Sequence, residues 1–168
     1  MNDLERFRVE KDDFFRAGNQ SPLTPAQQRS FTGLKYYPEN LSLRMELSIE
    51  RLDIPEPADL ITSSGEHREY THIGQVRFSL GAQEVVLQVY EDDYGFFLPF
   101  LDATAVDETY GAGRYLEPHE MRSDILYVDF NLAYNPYCAY NERWSCPLPT
   151  AANRLSVRIE AGEKKYHD

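Results

Sequence analysis

Lysine is nearly missing from this chain, standing only at positions 11, 35, 164 and 165. With 17 Lys and Arg against 28 Asp and Glu, the formal charge is -11. A chain so charged has no basic face to neutralise phosphates, so neither nucleic acid nor an anionic membrane is an expected partner. A cation, a neutral small molecule or a protein stays open. Long hydrophobic runs are missing too: no stretch approaches the roughly 18 apolar residues of a spanning helix. The opening "MNDLERFRVEKDDFFRAG" has no apolar centre of the kind a secretion signal needs. The expected location is cytoplasmic, where thiols stay reduced, and the two cysteines, Cys138 and Cys146, are then expected as free thiols. Their C-x7-C spacing is not that of a zinc ribbon. The histidines, His67, His72, His119 and His167, share no ligand spacing with them. No metal and no cofactor is expected, zinc being the one ion the thiols leave open. A cysteine–histidine nucleophile signature is also missing, and "DETYGAGRYL" lacks the third glycine and the Gly-Lys-Ser/Thr ending of phosphate-binding loops.

What remains is a chain that is 42% hydrophobic and 13% aromatic, with 12 tyrosines, as a globular protein should be. Its 168 residues fit one domain. Residues 1–30 read as a helical segment. Leu4, Phe7, Lys11, Phe14 and Phe15 share one helical face, with Asn2 as cap and Gly18 as stop. Thr24, Pro25 and Gln27 then form a capping-box pattern for a short second helix. From 41 to 130 the period changes to two. Leu41, Leu43, Met45, Leu47 and Ile49 alternate with polar residues, "IPEPADL" is expected to break that strand, and further short strands follow at turn-marked intervals. A last strand is expected over 154–162. The expected architecture is mainly β (α+β): an antiparallel meander closing into a barrel or half-barrel, with the N-terminal helices packed across one end.

Residues 131–153 then join two strands by more than 20 positions with no strand or helix period of their own. Loops that long inside a compact domain are usually functional or disordered. The aromatic residues and prolines of this one argue for an ordered, built loop. Asp129 and Asn131 share a strand face, and Arg114 is a natural forked partner for Asp129. That pair either anchors the loop or orients a ligand. Tyr110, Tyr134 and Tyr140 belong to a run of six tyrosines that either wall a pocket or fill the core. Asn135, Pro136, Cys138, Cys146 and Asn153 read as anchors of the loop.

The strings "FFRAGNQSPL", "FTGLKYY", "FLDATAVDETYGAGRYL", "VDFNLAYNPYCAYNERWSCPLP" and "NRLSVRIEAGEK" resemble a bacterial and archaeal family catalogued as domain of unknown function 1684, over about residues 14–164. The resemblance implies no activity. It marks Gly113, Arg114, Asp129, Asn131, Tyr134, Asn135, Pro136, Cys138, Cys146, Pro147, Asn153 and Glu163 as signature positions. This chain departs from it at "PTAAN", where an alanine stands for a glutamate of the relatives.

Three readings follow. The first is a small-molecule-binding or enzymatic β-barrel with a polar and aromatic pocket between 107–115 and 129–153. Tyr110, Arg114, Asp129, Asn131, Tyr134 and Tyr140 would line it, and Arg114 would suit a carboxylate-bearing ligand; hydrolysis or isomerisation with Asp129 as base is one option that nothing in the sequence selects. The second is an accessory or interaction protein whose 129–153 loop is purely structural. The third is a metal or thiol-redox protein using Cys138 and Cys146. The sequence assigns neither an oligomeric state nor an enzymatic activity.

Overall fold

A computed structural model describes all 168 residues. Helix α1 spans Asp3–Ala17. Asn2 Oδ1 accepts from the Glu5 N–H and the Glu5 carboxylate accepts from the Asn2 N–H, both at 2.8 Å, which satisfies two otherwise unpaired groups at the helix start. Gly18 ends it. Helix α2, Pro25–Ser30, is capped in the same reciprocal way by Thr24 and Gln27, with proline in the first turn where its missing N–H costs nothing.

Eight strands follow: β1 Arg44–Ser48, β2 Glu50–Ile61, β3 His67–Leu80, β4 Gln83–Asp92, β5 Gly95–Phe100, β6 Arg114–Leu116, β7 His119–Arg122 and β8 Ile125–Asp129. Every ladder is antiparallel. The strands form two open sheets, β1-β8-β7 and β2-β3-β4-β5-β6. The ladders end at β1 and β7 in one sheet and at β2 and β6 in the other, so the meander does not close into a barrel.

The two sheets share one core. Val76 and Phe78 of β3, Leu87 and Val89 of β4, Leu98 and Phe100 of β5, and Leu126 and Val128 of β8 belong to a single buried cluster. Phe130 joins it, its ring centroid 5.5 Å from Phe78 and 5.3 Å from Phe100. A second cluster holds Phe15 and Leu23 of the N-terminal segment against Tyr140. Phe15 meets Tyr140 edge to face at 5.1 Å, so the helices cover the long loop.

Local departures from the expected pattern have physical causes. Pro55 and Pro57 do not break β2, because β2 is an edge strand and an edge leaves one row of N–H groups unused; the ladder is irregular only between Arg51 and Glu56. β3 runs unbroken from His67 to Leu80, with a register shift between His72 and Gly74. A Cβ on Gly74 would lie 2.4 Å from the Glu50 carbonyl, so only glycine lets β2 cross there. β6 is buried throughout and β7 exposed throughout, so neither carries the alternation that reveals a strand.

The expected strand at 154–162 does not form: the chain bends at Ser156, Val157 and Gly162, and its only bridge is the single pair Arg154 and Leu101. Side chains from elsewhere take the place of the neighbouring strand, as the site geometry shows. The chain leaves this segment through Gly162, whose φ is +80° and whose Cβ, if present, would stand 2.7 Å from the Ala133 carbonyl and 2.8 Å from that of Phe130. Left-handed backbone costs an L-residue about 1–2 kcal/mol, and the contact adds to it. Gly162→Ala is therefore expected to lower the melting temperature by about 4 °C or more in a domain of this size. Calorimetry checks this, and an unchanged melting temperature would contradict the assigned role.

Candidate functional site

Two buried charges hold the long loop and the C-terminal segment in place. Arg114, at the start of β6, is 0% exposed. Its expected partner, Asp129, is not the one it meets. It pairs with Asp102, Nη2 to Oδ1 at 3.3 Å, and the same nitrogen donates to the Ile159 carbonyl at 2.9 Å. Nη1 donates to the carbonyls of Ala161 and Glu163. The chain turns at Gly162, whose φ is +80°, and so brings the carbonyls of Ile159, Ala161 and Glu163 around a single planar guanidinium. Asp102 Oδ2 accepts from the Ile159 N–H on that edge at 2.6 Å. An ion pair thus does for residues 159–163 what a neighbouring strand would do.

Glu163 is the second charge, 2% exposed. Its Oε1 accepts from the Asn135 N–H at 3.0 Å and the Tyr140 hydroxyl at 3.1 Å, and its Oε2 from Lys11 of α1. Helix, loop and C-terminal segment therefore meet on one carboxylate. The loop asparagines act alike. Asn131 accepts from the Asn40 N–H at 2.8 Å and donates to the Asn40 carbonyl at 2.9 Å. Asn153 does the same to Gln88 of β4, at 2.8 and 3.0 Å, and donates also to the Pro99 carbonyl at 2.8 Å. Each amide stands where a strand's peptide group would.

Asp129 is satisfied as completely. Oδ1 accepts from the backbone and side chain of Asn131, both at 2.9 Å, and Oδ2 from Arg44 Nε at 3.0 Å and the Tyr127 hydroxyl at 3.3 Å. Four donors leave no lone pair with which to take a substrate proton, so the geometry gives Asp129 a structural role in place of that of a base.

The outward face of the same loop is aromatic. It borders two clefts of about 660 and 640 Å³ that share Glu117, Tyr134 and Tyr137 as a dividing ridge. The first runs between α1 and strands β6 to β8, walled by Phe7, Phe14, Phe15, Leu116 and Tyr127, with Lys11 and Asp129 along its edge. The second is walled by Tyr70, Phe96, Phe97, Tyr115, Trp144 and Cys146. Its floor is rigid: Phe97 stacks on Tyr70 at 5.1 Å and meets Tyr115 edge to face at 4.8 Å. The Tyr115 hydroxyl is spent on the Pro147 carbonyl and that of Tyr134 on Glu117. Burial, then the Glu117 carboxylate, push the Tyr134 phenol well above its ordinary range, so it stays a neutral donor.

Of the six residues expected to bind a ligand, Tyr134 and Asp129 reach the first cleft, and Tyr134 alone the second. Arg114, Asn131 and Tyr140 are buried in the clasp, and the Tyr110 hydroxyl lies 3.5 Å from Cys138 Sγ, outside both clefts. The walls that sequence reasoning missed come from β3, β4, β5 and α1. The one usable signal was Trp144, the sole tryptophan of the chain, left half-exposed on the loop. No three His, Cys, Asp or Glu side chains converge as metal ligands, and no helix is long and apolar enough to cross a membrane.

Removing the guanidinium should strand Asp102 and three carbonyls in the interior. Arg114→Ala is expected to lose about 3–5 kcal/mol of stability, the scale of breaking a buried ion pair. Urea unfolding followed by circular dichroism measures it; a midpoint matching the wild type would remove the clasp from the account.

The family model described as "Protein of unknown function (DUF1684)" matches residues 29–164. Among solved structures, the chain is similar to the uncharacterized protein from gene locus rrnAC0354 of Haloarcula marismortui, determined by solution NMR. The two are 37% identical over 96% of this chain and 91% of that one, with a TM-score of 0.72. No curated protein matches.

Proposed function

This chain belongs to the DUF1684 family, and from that premise we propose that it binds a small molecule in the aromatic clefts on either side of Tyr134. The observation that carries the reading is the division of labour within one loop. Its polar signature residues face inward and, with Tyr140, are spent on the clasp, while Tyr134 and Tyr137 face outward onto the shared ridge. A preformed apolar concavity with a few polar groups at its rim is the usual form of a ligand site.

The rim also bears on ligand charge. Arg114, the group that would have suited a carboxylate, is enclosed. The exposed carboxylates of Glu117 and Asp92 stand at the second cleft, where the one cation, Arg68, already donates to the Ser145 carbonyl. Lys11 at the first cleft is paired with Glu163. Tyrosine and tryptophan rings beside exposed carboxylates that no cation pairs with favour a neutral or amine-bearing ring system, since an ammonium is attracted by both. The reading of the loop as purely structural draws on the saturation of Asp129, Asn131 and Asn153, and it is the alternative against which the test is set.

Trp144 supplies the readout, because the only indole of the protein lines the second cleft. Titration with aromatic amines should change its fluorescence saturably, with aromatic carboxylates weaker, and Tyr134→Ala should abolish the change. Tyr134 keeps its backbone bridge to Tyr115 without its side chain, so that variant should fold. If no amine, neutral or acidic ring compound shifts either fluorescence or melting temperature, the structural reading of the loop replaces this one.

A further inference from the structure

The two cysteines, eight positions apart, are brought together by the loop. The Cys138 backbone N–H donates to Cys146 Sγ at 3.4 Å, which sets the second sulfur against the backbone of the first cysteine. Both are free. They differ in surroundings. Cys138 is half-exposed and receives the Tyr110 hydroxyl at 3.5 Å, whereas Cys146 is buried, with its own N–H donated to Ser63 Oγ at 3.1 Å. Hydrogen bonds from Cys146, and then from Tyr110 and Ser63, draw the Cys138 thiol down to about 6, while Cys146 is pushed up by its bond to Cys138 and by burial. The loop therefore holds a low-lying, reachable thiol against a second thiol still carrying its proton. Accessible cysteines with a resolving partner alongside are the ones that react selectively with oxidants. Nothing in the clasp or the proposed ligand site calls for this arrangement, since any two small apolar residues would pack as well.

We infer that Cys138 and Cys146 form a redox-active pair, with Cys138 the attacking sulfur and Cys146 the resolving one, and that a hydroperoxide is the oxidant. The Cys138 thiolate attacks the terminal oxygen, an S–O bond forms and the O–O bond breaks. The departing alkoxide or hydroxide takes the proton of the Cys146 thiol, leaving an alcohol or water. The Cys146 thiolate, steadied by the Cys138 N–H, then attacks the Cys138 sulfur. The S–S bond forms and the sulfenic oxygen leaves as hydroxide. Two thiol sulfurs are oxidised by two electrons in all, and the peroxide bond is reduced by two. A dithiol reductant restores the pair by two exchange steps. This inference does not rest on the ligand reading: the clefts could be empty and the pair still react.

Two measurements decide it. Iodoacetamide labelling followed by peptide mass spectrometry should show Cys138 modified first. Its rate should rise as pH rises through about 6 and level off before pH 8, because only the thiolate reacts. Hydrogen peroxide should then remove both thiols of the wild type with loss of two hydrogen masses and no covalent dimer, reversed by dithiothreitol. Cys146→Ser should stop at a sulfenic acid that dimedone traps on Cys138, and Cys138→Ser should keep its thiol. Should Cys146→Ser not fold, the wild type and Cys138→Ser still separate the outcomes. A labelling rate still climbing above pH 8 would overturn the inference. So would retention of both wild-type thiols under peroxide that consumes free cysteine, equal loss in Cys138→Ser, or a disulfide found only between molecules.

Discussion

A guanidinium standing in for a β-strand is the contact on which the rest of this structure depends. Residues 159–163 join no ladder, and buried peptide groups left unpaired would each cost as much as a lost hydrogen bond. Arg114 and Asp102 remove that cost from one edge, donating to three carbonyls and accepting from one N–H. The pair is itself unfavourable to bury and worthwhile only because its hydrogen bonds are nearly all made. Arg114 Nε is the exception, without a partner, while the Phe100 ring lies 5.2 Å from the guanidinium carbon.

Once that segment is fixed, the other anchors have something to hold. The Glu163 carbonyl is one of the three that Arg114 binds, and the Glu163 carboxylate gathers Lys11, Asn135 and Tyr140. A local contact thereby ties α1 and the long loop to the sheets. Asn131 and Asn153 repeat the device at smaller scale, each gripping the N–H and C=O of one distant residue. Because the loop's polar groups and Tyr140 are consumed in this way, Tyr134, Tyr137 and Trp144 are left to face outward. The ridge of Tyr134 and Tyr137 and the wall of Trp144 and Cys146 follow from the clasp as its other side.

Much of this was legible in the residues. Asn2, Gly18, Thr24 and Pro25 mark the helices because capping is a local matter. β4 shows its alternation plainly, with Val85, Leu87 and Val89 inward. The composition of 131–153 pointed to a built segment, and it is pinned at both ends and in the middle. What was not legible depends on which distant groups meet. Arg114 could have forked onto any of several carboxylates, and nothing in the residues singles out Asp102, the partner it meets, over Asp129. The strand expected over 154–162 does not form, and the residues gave no warning of it, since a side-chain partner leaves no mark on strand periodicity. The clefts draw their walls from six strands, one helix and the loop, so no single window of sequence contains them.

Amide hydrogen exchange tests the clasp most directly, because it reads the partnered peptide groups one at a time. If side chains replace a strand for the C-terminal segment, the Ile159 N–H on Asp102 and the Asn135 N–H on Glu163 should exchange as slowly as that of Leu87 in the centre of β4, through global unfolding alone. Exchange of Ile159 and Asn135 at the rate of an unstructured peptide, with Leu87 still protected, would contradict the account.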